Sequence, residues 1–249
     1  PLAQSFIALG LSQAARDRLN QLTSEPAKQT EQGAAALTEL YSLSLSGLSA
    51  RHEGALSGPQ QVDLQLKAGD VLLLSGPSGC GKSTLLEVLA GEPLDYSGER
   101  LLNGKAYEHW QWRSVIGYLP QQLDIFDMTL AENLRLGQPA ATEQQLWAVL
   151  EDVALADWAR ARPAQLNTTL GEYGAQVSGG QARRIALARL LLAQRPLLLL
   201  DEPFAGLDAA TREQVLAALL RRQASGMLVI VSHQPLELEQ AQRLQLTMN

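Results

Sequence analysis

The sequence of 249 residues holds one cysteine, Cys80, which excludes an internal disulfide framework and fits a reducing compartment. It has no excess of positive charge: 26 acidic against 20 basic residues leave a formal net charge of −6, not the balance of a general nucleic-acid binder. No apolar run approaches the ~20 residues needed to span a bilayer. The longest candidate, Ile185 to Leu200, is interrupted by Arg189, Arg195 and Pro196. There is no internal repeat, no initial Met and no signal-like apolar stretch at Pro1. The chain as given is therefore expected to be soluble and a piece of something longer. What is present is enough to build a core. Hydrophobic residues make up 46% and charged ones 18%, which argues against disorder, and the length suits one large α/β domain.

Along the chain, residues 1–25 read as helical, with Phe6, Leu9, Ala14 and Leu22 loosely periodic. Residues 26–36 turn to Gln, Thr, Gly and Ala and read as a linker. Val62 to Leu66 alternates with period two, as in a half-buried strand. Val71 to Ser75, Leu197 to Leu200 and Met227 to Val231 are continuous apolar runs, as in strands covered on both faces. Helical patterns separate them, notably Ser178–Gln194 and Asp208–Gln223; in the second, Val215, Leu216, Leu219 and Leu220 make one apolar stripe. Alternating strands and helices predict an α/β fold with a mostly parallel sheet flanked by helices. From about Leu123 to Leu170 helical patterns continue without a buried-strand run, so this stretch reads as an inserted helical lobe.

Three local patterns carry chemistry. Gly76, Pro77, Ser78, Gly79, Cys80, Gly81, Lys82, Ser83 and Thr84 satisfy GxxxxGK[ST], after a buried strand and before a helix. Glycines let backbone N–H groups turn inward around phosphate oxygens, and the helix start adds its positive dipole end. Lys82 would reach the outer phosphates, and the Ser83 hydroxyl would bind Mg²⁺. Next, the apolar run from Leu197 delivers Asp201 and Glu202 at its C-terminal end, the binding edge of an open α/β sheet. Asp201 suits Mg²⁺, and Glu202 suits orienting or deprotonating a water. The third pattern, Ser178, Gly179, Gly180 and Gln181, opens a long helix. Capping explains the serine but not two successive glycines; a second anion site explains both. Cys80 lies near Lys82 and a helix N-terminus, which favours thiolate, yet the plainer reading is a small residue that fits the loop.

Together these motifs resemble the nucleotide-binding domain of ABC transporters. The phosphate loop, Gln121 after Gly117 to Pro120, Val177 to Gln181, Leu200 to Pro203, Gly206 to Asp208, and Ser232 with His233 fall in family order from about residue 40 to 235. The resemblance implies a P-loop NTPase fold with an antiparallel β edge and an ABC-type helical subdomain at about 123–194. Residues 37–249 would form that domain, and 1–36 a linker with the end of a missing transmembrane domain. It also implies ATP and Mg²⁺ as cofactors. Lys82, Gln121, Glu202 and His233 would be the catalytic residues, with Ser83, Gln121 and Asp201 around the metal. Two such domains would sandwich ATP, so that Ser178 to Gln181 serve the partner's nucleotide. The second partner is a transmembrane domain, reached through its coupling helices; no nucleic acid is expected. The site would lie at the cytoplasmic face of a bacterial inner membrane.

Thr169 to Gly174 is similar to an exporter-type loop, and Ile125 to Asn133 to the exporter segment after the glutamine. Within exporters the closest likeness is to the CydC-type family, which exports cysteine/glutathione for cytochrome bd assembly. A soluble ABC ATPase acting on DNA or ribosomes would carry tandem domains, coiled coils, zinc motifs or basic arms, none of which this sequence shows. An importer's separate ATPase subunit is disfavoured by the Glu172 loop and the N-terminal linker. The sequence departs from the family in three places. Val177 replaces the usual Leu, and the Gly-rich segment after the last strand is missing beyond Leu246. Where an aromatic residue usually stacks on adenine stand Arg51 and His52; either could meet the base, and a surface-loop role fits both equally.

Overall fold

The four apolar or alternating runs become strands of two different sheets. The computed structural model describes residues 34–55 and 57–247, so the helix expected at 1–25 and most of the linker lie outside the described residues. Strands β1 (Ser42–Ala50), β2 (Val62–Lys67), β4 (Tyr96–Leu102) and β5 (Lys105–Ala106) form an antiparallel sheet in the order β2-β1-β4-β5. Strands β3 (Val71–Ser75), β6 (Ile116–Leu119), β7 (Leu197–Asp201), β8 (Met227–Val231) and β9 (Gln242–Gln245) form a parallel sheet in the order β6-β7-β8-β3-β9. The antiparallel strands are thus a sheet of their own rather than an extension of the parallel one.

The continuous apolar runs are explained by what each face of the parallel sheet meets. Leu72, Leu74, Leu197, Leu199, Met227, Val229 and Val231 pack into one core, and Leu73, Leu198, Leu200, Leu228 and Ile230 into another. Side chains alternate faces along a strand, so a strand covered on both sides needs apolar residues at every position. The first face is covered by helix α1 (Lys82–Ala90), through Leu85, Leu86, Val88 and Leu89, and by the antiparallel sheet through Leu43, Leu45 and Leu48. Truncating one of these fully buried leucines to alanine costs about 2–5 kcal/mol.

The second face meets the inserted lobe and two long helices. The lobe holds α2 (Leu130–Arg135), α3 (Glu143–Asp152) and α4 (Ala156–Arg160), with no strand between Leu123 and Leu170 among the described residues. Helix α5 (Gly179–Ala193) and helix α6 (Ala209–Arg222) follow, within a residue or two of the bounds the sequence predicts. Asp208 caps α6 by accepting from the Thr211 N–H at 3.0 Å. Arg189 of α5 fastens the lobe: it donates to Asn133 O at 2.9 Å and Asp124 O at 2.6 Å, and burial lowers its pKa to about 10. Asn133, fully buried, ties the segment back on itself by donating to Phe126 O and accepting from Phe126 N.

Candidate functional site

The turn between β3 and α1 is built from glycines in a conformation other residues resist. Gly81 has φ 95°, and a Cβ there would stand 2.4 Å from Pro59 Cδ and 2.6 Å from Pro59 N. No side chain caps α1, so its first amides stay available, as an anion site requires. Lys82 is only 7% exposed and lies across the loop, donating from Nζ to Gly76 O at 2.9 Å and Pro77 O at 2.8 Å. No hydrogen bond engages the Ser83 hydroxyl among the described residues. Ser57 of the preceding loop donates to Gly79 O at 2.7 Å and braces the turn from outside. Two further residues of the motif are buried. Thr84 is buried, and Cys80 is 1% exposed, packed in the core with Leu72, Leu74 and Leu85. This burial fits the small-residue reading of Cys80 better than a reactive thiol: the side chain packs on the core, with Sγ 4.0 Å from Lys82 Nζ.

The C-terminal end of β7 supplies the acids. Asp201 is 2% exposed, and its Oδ2 has no hydrogen-bond partner; Glu202 Oε1 is buried and likewise lacks one. An unpartnered buried oxygen is costly and points to a group bound in function. Glu202 has φ 50°, a left-handed conformation costing roughly 1–2 kcal/mol for a residue with a Cβ. Its N–H donates to Val231 O at 3.1 Å, which holds it there. His233 Nε2, at the exposed end of β8, stands 3.5 Å from Glu202 Oε1. Burial pushes the Glu202 carboxyl above the ordinary carboxylate range, and Asp201 pushes it further; His233 and Lys82 oppose that shift. The phosphate-loop lysine and the acidic pair thus share one field. For Mg²⁺ the donor chemistry fits: Asp201 offers a carboxylate oxygen without a partner, and Ser83 an unengaged hydroxyl.

The N-terminus of α5 is organised differently. Ser178 Oγ accepts from the Gln181 N–H at 3.3 Å, while Gln181 Oε1 accepts from the Ser178 N–H at 2.9 Å, a reciprocal capping box. A Cβ on Gly179 would meet nothing within 4 Å. No hydrogen bond joins this turn to the phosphate loop among the described residues. Gln121 is exposed and its carbonyl accepts from Arg183 at 2.8 Å. His52 is half exposed and pairs with Glu87 of α1 at 2.7 Å, which sets it beside the helix that the phosphate loop opens. With Arg51, Glu53, Pro59, Leu94 and Tyr96 it lines a cleft of about 1000 Å³.

The structure thus brings Lys82, Asp201, Glu202 and His233 together, and among the described residues no hydrogen bond joins Ser178 to Gln181 to them. Sequence reasoning missed Arg183. Its signal was a charge on the α5 stripe that also carries the buried Leu187 and Leu191, at i, i+4 and i+8.

Known proteins place the chain. The family described as ABC transporter matches residues 59–205. CydC, an ATP-binding/permease protein of the glutathione/L-cysteine transport system of Escherichia coli (strain K12), is 34% identical over 94% of this chain and 41% of its own length. CydD of the same system and organism is 33% identical over 88% of this chain and 38% of its own length. A multidrug resistance ABC transporter ATP-binding and permease protein of Lactococcus lactis (subsp. lactis, strain IL1403) is 32% identical over 93% of this chain and 40% of its own length. Among solved structures, a bacterial Atm1-family ABC exporter with ATP bound superposes with a TM-score of 0.74 at 28% identity, over 82% of this chain and 36% of that one. The chain therefore spans about two fifths of the length of the curated relatives it matches.

Proposed function

This chain belongs to the ABC transporter family, and we propose that it is the ATP-binding and ATP-hydrolysing domain of an exporter at the cytoplasmic face of a bacterial inner membrane. The observation that carries the hydrolytic reading is the acidic pair. Asp201 and Glu202 are adjacent, each has a buried oxygen without a hydrogen bond, and both lie in the same field as Lys82. The loop amides and Lys82 hold the phosphates by position and charge. To reach a phosphate, Lys82 exchanges its bonds to Gly76 O and Pro77 O for phosphate oxygens. Asp201, Ser83 and Gln121 would hold Mg²⁺, which when bound neutralises charge developing on the phosphate oxygens. Glu202 orients the attacking water and accepts its proton. Its raised pKa makes it a better base than an exposed glutamate would be. His233, 3.5 Å from Glu202 Oε1, would contact the γ-phosphate. His52, beside α1, is our candidate for the adenine.

The open space before Gly179 supports a composite site: the Ser178 to Gln181 turn of one domain would meet the nucleotide on a second domain. A transmembrane domain, engaged through its coupling helices, completes the proposal. For cargo we propose glutathione or L-cysteine, the pair that the CydC and CydD relatives' names state. The test of the hydrolytic reading is Glu202→Gln. It should bind ATP as the parent does and trap an ATP-bound dimer, with turnover down by at least about a hundredfold. Turnover within about tenfold of the parent, roughly 1.4 kcal/mol, is too little for a base and would sink the assignment.

A further inference from the structure

Three backbone carbonyls, from two segments some eighty residues apart in sequence, converge on one side chain. Arg183 Nη1 donates to Asp201 O at 2.7 Å and to Glu202 O at 3.1 Å, and Arg183 Nη2 donates to Gln121 O at 2.8 Å. The arginine projects from α5, five residues after the Ser178 cap. A single planar fork therefore joins the helix that starts at the signature turn, the end of β7 and the loop after β6. No carboxylate is hydrogen-bonded to it among the described residues; burial disfavours its charge, with Asp201 and Glu202 opposing that, so its direct bonds are all to carbonyls. What the fork does achieve is geometric. Glu202 has its left-handed φ of 50°, a strain that persists only where the surroundings hold the residue on both sides. On one side its N–H is held by Val231 O, and on the other its carbonyl is held by Arg183 and the Ala205 N–H.

We infer that Arg183 is a positioning residue for hydrolysis: it locks the Glu202 carboxylate and Gln121 to the signature helix, so that the water-orienting geometry exists only while α5 and the Gln121 loop are docked on β7. This rests on the reading that Glu202 serves ATP hydrolysis. Arg183 needs no contact with nucleotide for this role. Its removal should therefore separate turnover from binding, which loss of a mere packing residue would not do.

The test uses the full chain, with steady-state MgATP hydrolysis and equilibrium binding of ATP measured side by side. Arg183→Met should lower kcat by about a hundredfold, the usual effect of misplacing a catalytic group by an ångström, and leave ATP affinity within about twofold. Arg183→Lys, a point charge without the fork, reaches fewer of the carbonyls and should recover about tenfold of that loss. In a Glu202→Gln background Arg183→Met should change the residual rate by less than about twofold, because the group being positioned is gone. Turnover of Arg183→Met within about threefold of the parent overturns the inference, as does an equal fall in turnover and affinity. If Arg183→Met does not fold, Arg183→Lys decides: reduced kcat at unchanged affinity supports the role, and parental kcat overturns it. A parent chain that binds but never hydrolyses MgATP would instead be a failure of the hydrolytic reading, seen before any Arg183 variant is measured.

Discussion

The turns at Gly81 and at Gly179 both open a helix with glycine, and they are opposite in what they leave undone. At the phosphate loop, glycine is demanded from within the chain: φ is 95° and Pro59 blocks any Cβ. No side chain caps the helix, and Lys82 makes its bonds to the loop's own carbonyls. At the signature turn the helix is capped reciprocally by Ser178 and Gln181, and among the described residues nothing requires Gly179 to lack a side chain. The difference teaches where each ligand comes from. A turn with uncapped amides is completed by a ligand bound to the same chain. A turn that is already satisfied, with bare space before its glycine, fits an anion presented by another chain.

Ser178→Arg is the strongest way to break that comparison. It fills the open space at the signature turn and should lower turnover by more than about a hundredfold, while ATP affinity of the same chain stays within about twofold. Lys82→Ala should do the reverse, weakening the chain's own nucleotide binding. Mixed in one preparation, the two variants should regain hydrolysis, since each heterodimer then holds one site with an intact loop and an intact turn. Hydrolysis by Ser178→Arg in a strictly monomeric preparation would refute the shared site.

Two glycine substitutions sharpen the same contrast at lower amplitude. Gly81→Ala should destabilise the chain by at least about 2 kcal/mol, from the left-handed strain plus the collision with Pro59. Gly179→Ala sits in the first turn of a helix with free space around it, and should be neutral or stabilising by about 0.5 kcal/mol. It should nevertheless slow hydrolysis, because the added methyl stands where the second chain's phosphate must approach. Urea denaturation of both variants, beside their turnover, reads this directly. A Gly179→Ala chain that is destabilised as much as Gly81→Ala would return that glycine to an intramolecular role.

These residues also show what a sequence can announce. The inner strands were legible because burial on both faces demands apolar residues at every position, as Leu197 to Leu200 and Met227 to Val231 supply. Strand β9, Gln242–Gln245, was not, because an edge strand pairing through its backbone needs no apolar alternation. Strand β4 was hidden similarly, with only Leu102 of its residues buried. The phosphate loop was legible because its backbone must adopt conformations only glycine reaches. Arg183 showed only as a charge on the α5 stripe, because it acts on carbonyls, which every residue has, so no pairing of residue types betrays its partners. Cys80 is a related case, where the sequence offered a reactive thiol beside the plainer reading of a small residue that fits the loop. Its place in the motif is a fact about backbone, and which way the side chain points depends on the Leu72, Leu74 and Leu85 core beneath.

The smallest effect concerns the strain of holding Glu202 ionised. Burial raises its pKa in the folded chain above the ordinary value of 4.5, so the folded state binds this proton more tightly than the unfolded state does. The favourable contribution from that proton is fully present below pH 4.5 and is lost as pH rises through the folded value, leaving a stability cost at pH 8. Glu202→Gln removes the charge and with it the cost. The variant should therefore melt higher than the parent at pH 8, and the difference should vanish near pH 4. His233 lies 3.5 Å from Glu202 Oε1, so the comparison belongs in a His233→Gln background. The signature turn provides the control. Gln181→Ala removes the bond to the Ser178 N–H but no titrating group, so its effect on melting should be the same at both pH values. If Glu202→Gln shifts melting equally at pH 8 and pH 4, the site stores no electrostatic strain, and Glu202 differs from Gln181 only in its bonds.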